Sequence, residues 1–403
     1  AALEKTAFEP AAVSRDLAFD GVAPLLPETA PHRLVFVDGR FAPRLSDIGA
    51  LPEGVTLTGL AYLLTTAPDL LEGTLGEIAQ GPDQPLLDLN TALIEDGLVL
   101  FVPAGRRLER SIEAIFLCGG SETASASHPR LLVQLGENSE ALLIERHYGL
   151  AQHGLAQHGL AQHGLAQPGL AQSAYFANAV TEFTLDAGAR LGHCRIVAAA
   201  TDGLHVATLQ GRIAAGARYD GFTLTLGAGL TRNEARLSLD GPEAFAGLHG
   251  AYLLGGSQHC DTTTEIRHRS PHTSCREVFK GVIDGNARAV FQGRLVVERD
   301  AQKTDGHQLA KALLLSDTAE FDAKPELRIY ADDVKCSHGA AAGEIDREAL
   351  FYLTTRGLPK KAAERLLVEA FLGEAIDEIA TEALREPIRR LVAERLGSAG
   401  AQL

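Results

Sequence analysis

The feature that most constrains this chain is a long run of short apolar alternations. It extends from Asn90 to about Ala319 and is punctuated by Gly, Asp and Asn. Examples are Leu98–Val102, Leu131–Leu135, Ala141–Ile144, Glu182–Leu185, Phe222–Leu226 and Arg236–Leu239, some alternating with period two and some apolar throughout. Alternation with frequent turn residues predicts many short strands. Long helical patterns are scarce here, which disfavours parallel strands joined by crossover helices. The turns repeat weakly. Gly188-Ala189-Arg190-Leu191 recurs 28 residues later as Gly216-Ala217-Arg218-Tyr219, and Gly136–Leu142 and Gly285–Val290 carry looser versions. A small corner followed by an outward charge and an inward apolar residue suits a solenoid, whose rungs turn tightly and stack. An irregular sandwich with similar turns is the alternative.

The flanks differ from this core. Ahead of it, Ala11–Phe19 and Leu60–Ala67 have helical character, the second stopped by Pro68. Leu34–Pro43 is predicted to be a hairpin turning at Asp38-Gly39. Within the core, Gly149–Ser173 repeats GLAQH almost perfectly. Successive five-residue steps land on different helix faces, and Gly in each copy weakens a helix further. It is expected to be an inserted, solvated loop, and this is preferred over metal chelation by His153, His158 and His163. Beyond about Asp346 the pattern is helical. Asp346–Arg356 places Leu350, Phe351 and Leu353 on one side, followed by Gly357 as a C-cap and Pro359 at a new start. Lys360–Ile376 spaces Ala363, Leu366, Leu367, Ala370 and Phe371 helically. A third stretch, Glu378–Leu396, has Leu384, Ile388 and Leu391 inward, Arg385, Arg389, Arg390 and Arg395 on its far side, and Pro387 as an expected kink or break. Three regions result: 1–88 α+β, 89–340 β with the insertion at 149–173, and 341–403 helical.

A net charge of −15 makes nucleic acid an unfavourable partner. No apolar run approaches the roughly 20 residues of a membrane helix, and the first residues lack the pattern of a secretory signal. Five widely spaced cysteines, an odd number, argue against a disulfide framework and for reduced thiols in the cytoplasm.

Two stretches could carry chemistry. In Asp332–Gly339, Cys336 and His338 would point the same way if the backbone is extended. A thiolate and an imidazole suit iron, iron–sulfur species or zinc, and Lys335 would favour the thiolate. Two donors do not close a four-ligand site. Either another chain completes it or the pair is structural. The second stretch holds His259, Cys260, His268, His272 and Cys275, whose spacing matches no standard zinc pattern. Stacked polar ladders are the preferred reading there. Phosphate-binding loops, nucleophile elbows, HExxH and dinucleotide fingerprints are missing, so the chain should not hydrolyse ATP alone.

Phe291–Gly293 (FQG), Gln302–Gly306 (QKTDG), Ala312–Glu320 (ALLLSDTAE), Lys324–Ala340 (KPELRIYADDVKCSHGA) and Ala349–Pro359 (ALFYLTTRGLP) together resemble the SufB/SufD family of iron–sulfur cluster assembly scaffolds. Weaker matches are His128–Val133 and Leu89–Gly97. Cys336–Ala340 reads CSHGA, as in the SufD branch, where SufB sequences have EHEA. An upstream SufB cysteine has no counterpart near Leu314 and Leu315.

The resemblance implies a mainly β fold: a right-handed parallel β-helix between a small N-terminal α+β domain and a C-terminal helical domain. It implies pairing with SufB, or with itself when alone, through the β-helix edge. It implies docking of the SufC ATPase on Leu350, Phe351, Tyr352, Leu358, Pro359, Leu366, Leu367 and Phe371. A cluster shared with SufB at Cys336 and His338 is implied too, with no resident cofactor in the isolated chain; flavin is left open. The rival readings are a β-solenoid acyltransferase or lyase, and a metal-storage protein using the second stretch and the GLAQH loop.

Overall fold

The computed structural model describes residues 7–10, 25–26, 30–119, 123–149, 174–199 and 203–399. The helix expected at Ala11–Phe19 and the GLAQH histidines lie outside the described residues. The core is a parallel β-solenoid of about seven turns. From Arg190 onward, consecutive strands alternate between two sheets, so each turn adds one strand to both. The repeat found in the sequence is the stacking register, since Arg190 pairs with Arg218 and Leu191 with Tyr219.

The corners explain why that repeat is faint. Six stacked turns each place one residue at positive φ: Asn138, Gly188, Gly216, Glu243, His272 and Lys303. Gly is the cheapest solution there, but not a required one. Each of these residues donates its N–H to the neighbouring corner; for example, Gly188 bonds Ala215 O and His272 bonds Gln302 O, both at 2.9 Å. The next residue is small and buried in every case: Ser139, Ala189, Ala217, Ala244, Thr273 and Thr304. Geometry repeats while residue identity drifts from Gly-Ala to His-Thr and Lys-Thr.

The N-terminal region closes one end. The hairpin is present, with Phe36 opposite Phe41 and positive φ at both Asp38 and Gly39. Its His32–Val37 strand extends one sheet, alongside Ile112–Cys118, while Thr56–Gly59 pairs antiparallel with Gly97–Val102 on the other. Helix α1 (Leu60–Thr66) ends before Pro68, as expected, and α2 (Pro85–Ala92) follows. At the other end the last strands, Glu320–Ile329 and Lys335–Gly343, are each paired on one side among the described residues.

Three C-terminal helices follow: α3 (Arg347–Thr355), α4 (Lys360–Ile376) and α5 (Glu382–Ala399). Asp346 caps α3 by accepting from the Glu348 and Ala349 amides, and Gly357 ends it at φ 95°. The inward face of α4 differs from the expected one. Ala363, Val368, Leu372, Ala375 and Ile376 are buried, whereas Leu366 and Ala370 are exposed. The solenoid selects that face. Val368, Leu372, Ala375 and Ile376 meet Ile196, Phe222, Leu224 and Val282 on the outside of a sheet. Leu384 and Ile388 of α5 are buried as expected, but Leu391 is only half-buried and Val392 and Leu396 fill the contact. The helix runs through Pro387 without a break and begins four residues later than expected. Arg395, expected on its far side, instead donates to Leu226 O of the solenoid at 3.2 Å.

Candidate functional site

Cys336 and His338 both lie on Lys335–Gly343, the edge strand of the ten-stranded sheet. Register shows which way they face. Cys336 continues the column Cys275–Gly306, and His338 continues Glu277–Gln308. Cys275, Gly306, Glu277 and Gln308 are all buried within the solenoid. Residues two apart on a strand share a face, so Cys336 and His338 stand on the lumenal face of the last rung. Ser337, between them, faces outward and meets His307 Nδ1 at 2.7 Å.

With no rung beyond them among the described residues, neither residue is enclosed. Cys336 is half-buried against Val297, Ala301 and Ala331, and His338 is exposed. The reading that Lys335 favours a thiolate is not supported. Burial pushes the Cys336 thiol up, outweighing a backbone hydrogen bond with Gly306 that lowers it. The site therefore offers two donors at an open strand edge, without enough ligands of its own to enclose a metal.

The second stretch is placed differently. Cys260 is buried among Tyr252, Ile283 and Ala289, and burial holds its thiol at about 12. His268 is fully buried, with Nδ1 2.9 Å from Thr273 Oγ1 and Nε2 3.2 Å from Cys275 Sγ. Burial lowers its imidazole to about 4, so it is neutral. Burial, then the nearby Glu277, raises the Cys275 thiol well above its usual value. His272 is an exposed corner residue and His259 a half-buried one at a strand start. No group of three or more His, Cys, Asp or Glu among the described residues is placed to hold a metal. The structure brings His268 and Cys275 together as a packed pair bonded to its turn.

The docking residues split by exposure. Phe351, Tyr352 and Leu366 are 70%, 58% and 45% exposed, and Pro359 is exposed as well. Leu350, Leu358, Leu367 and Phe371 are half-buried. Helix α3 fully buries no residue, and its Phe351 and Tyr352 face outward. Phe371 instead packs on the solenoid, its ring 4.4 Å from the Lys280 ammonium, which also pairs with Glu374. Arg276 donates to both carboxylate oxygens of Glu378 at 2.8 and 2.6 Å. These contacts tie α4 and the loop after it to the strand that carries Cys275 and Glu277.

Sequence reasoning passed over Glu277 and Gln308, both buried in the lumen. The available signal was phase: Glu277 shares the inward parity of Cys275 and Phe279. It also passed over a buried network in which Glu145 meets His193 Nε2 at 2.9 Å and accepts from Arg195 Nε at 2.7 Å.

The described residues thus define a parallel β-solenoid protein, closed at one end by its N-terminal region, with strand edges at the other and a helical tail. Comparison with known proteins makes this specific. Residues 116–371 match the family described as SUF system FeS cluster assembly, SufBD core domain, and residues 25–114 match the SufBD protein N-terminal region. The chain belongs to the SufBD family of iron–sulfur cluster assembly proteins. A SufBD family protein of Synechocystis is 33% identical over 92% of this chain and 79% of its own length. The SufD proteins of Escherichia coli and Bacillus subtilis are 29% and 26% identical, over 90% and 85% of this chain and 79% and 74% of their own lengths. No helix among the described residues is long and apolar enough to cross a membrane.

Proposed function

We propose that this chain is a SufD-type, non-catalytic scaffold subunit of the cytoplasm. It pairs with SufB through the open end of its solenoid and receives the SufC ATPase on α3 and the exposed side of α4. The observation that carries this reading is the last rung: a strand edge unpaired among the described residues and bearing Cys336 and His338 on its lumenal face. Strand edges template further pairing. A partner strand laid there would cover the imidazole and add the donors that the pair lacks. The nascent cluster is cargo, held at the junction, with His338 the ligand this chain contributes. ATP-driven movement of SufC pulls on α3 and α4. The Lys280–Glu374 and Arg276–Glu378 contacts pass that movement to the strands beneath the site.

Copurification with SufB and SufC tests both surfaces. Phe351→Asp with Leu366→Asp should weaken SufC capture at least tenfold and leave SufB bound, since apolar anchors dominate such interfaces. Ile329→Asp with Tyr330→Asp, on the last rung, should do the reverse. Equal capture by both double variants would contradict the assignment.

A further inference from the structure

A buried amide lies directly behind His338. Gln308 is 2% exposed, and its Nε2 donates to Glu277 Oε2 at 2.6 Å. The amide lies across the lumen against Gly293 of the facing sheet. A Cβ at residue 293 would come within 2.0 Å of Gln308 Nε2 and 2.8 Å of Oε1, so this slot exists because residue 293 is Gly. Gly293 ends the FQG motif, whose Phe291 fills the core beside it. With Nε2 committed to Glu277, Gln308 Oε1 is left buried without a hydrogen-bond partner. Buried acceptors without partners are uncommon, and each calls for an explanation. The next side chain in the column, one strand spacing of roughly 4.8 Å away, is the exposed imidazole of His338.

We propose that Gln308, clamped by Glu277 in the slot left by Gly293, is the positioning residue for His338. Its Oε1 accepts the N–H of the imidazole when the ring turns into the lumen. One ring nitrogen is then fixed as donor and the other is left with its lone pair directed at the subunit junction. Ligating histidines gain both orientation and basicity from such a second hydrogen bond. The inference rests on the reading of His338 as a ligand for the cargo. It adds that Glu277 and Gly293 act on the ligand through Gln308 without touching the cluster.

The test uses the full chain labelled with 15N-histidine, the His338 signals being those missing from His338→Ala. The wild type should show one dominant His338 tautomer. Gln308→Leu should collapse it to an averaged pair, as should Gly293→Ala, which displaces the amide without changing either partner. The exchange Glu277→Gln with Gln308→Glu keeps the hydrogen bond and still presents an acceptor to the mouth, so it should restore the single tautomer. In the SufB–SufC complex, Gln308→Leu should lower cluster yield several-fold and the exchange should recover it. An unchanged His338 spectrum in Gln308→Leu, with the chain folded, overturns the proposal. Loss of the tautomer with full cluster yield would uphold the positioning contact and refute the ligand role on which it rests.

Discussion

The two Cys–His pairs of this solenoid have nearly the same chemistry and opposite circumstances. His268 and Cys275 lie inside, with rungs on both sides, and each satisfies the other's polar atom. Cys336 stands in the same column as Cys275, two rungs on, and His338 stands beside it, where no further rung follows. Position along the stack, rather than residue type, separates an enclosed packing contact from a pair on an edge strand. A solenoid repeats its interior by construction, so an end without a cap leaves its last interior layer exposed, as at His338.

The largest expected difference is in thiol reactivity. Cys336 is half-buried, whereas Cys260 and Cys275 are enclosed with thiols pushed up to about 12 and well above the usual value, respectively. Labelling with a soluble alkylating agent at pH 8 should modify Cys336 at least 100-fold faster than either, because the buried pair reacts only on opening. Comparable rates would mean that the core breathes at Cys275 and would erase the contrast.

Next is the pH dependence that Glu277 gives the interior. Burial raises its carboxyl from 4.5 to about 7, against smaller opposing hydrogen bonds from Thr264 and Gln308. The folded state therefore holds a proton that the unfolded chain releases. This stabilisation is complete below about pH 4.5 and is lost as pH rises toward 7. The loss is at most about 3 kcal/mol, since each pKa unit corresponds to about 1.4 kcal/mol. His268 and His249, both lowered to about 4 by burial, act in the opposite direction as pH falls below the ordinary histidine range. Their effect cancels when wild type and Glu277→Gln are compared. Urea denaturation from pH 4.5 to 7.5 should show the wild type losing ground on the variant; parallel curves would place Glu277 in contact with solvent.

A smaller effect sharpens the same comparison. His268→Ala opens a buried gap and strands the partners at Thr273 and Cys275, so it should cost about 2 kcal/mol. His338→Ala, on an exposed rung, should change stability by less than about 0.5 kcal/mol. Similar losses for both would show that His338 is a structural residue.

Much of the fold was legible because the solenoid imposes one register many times. The 28-residue recurrence of Gly188-Ala189 is the pairing of Arg190 with Arg218, and the Asp38-Gly39 hairpin and the Gly357 cap follow from local backbone demands. The helix faces were less legible. The apolar residues of α4 support two stripes, and only the sheet beneath selects Val368 and Leu372 over Leu366. The common parity of Cys336 and His338 was legible from spacing. The state of the thiol was not, because adjacency of Lys335 says nothing of burial. Gln308 and Gly293 were illegible for a related reason: they meet across the lumen from opposite sheets, and no local pattern records that contact.

The proposed role of His338 requires an open last rung whose imidazole a partner would cover and put to use. Cluster yield in the assembled complex with SufB and SufC, measured for His338→Ala beside His272→Ala, tests this most directly. His272 is also an exposed histidine, at an ordinary corner. The account predicts that His338→Ala loses at least tenfold in yield with the subunits still associated, while His272→Ala matches wild type. Equal yields from the two variants would contradict it.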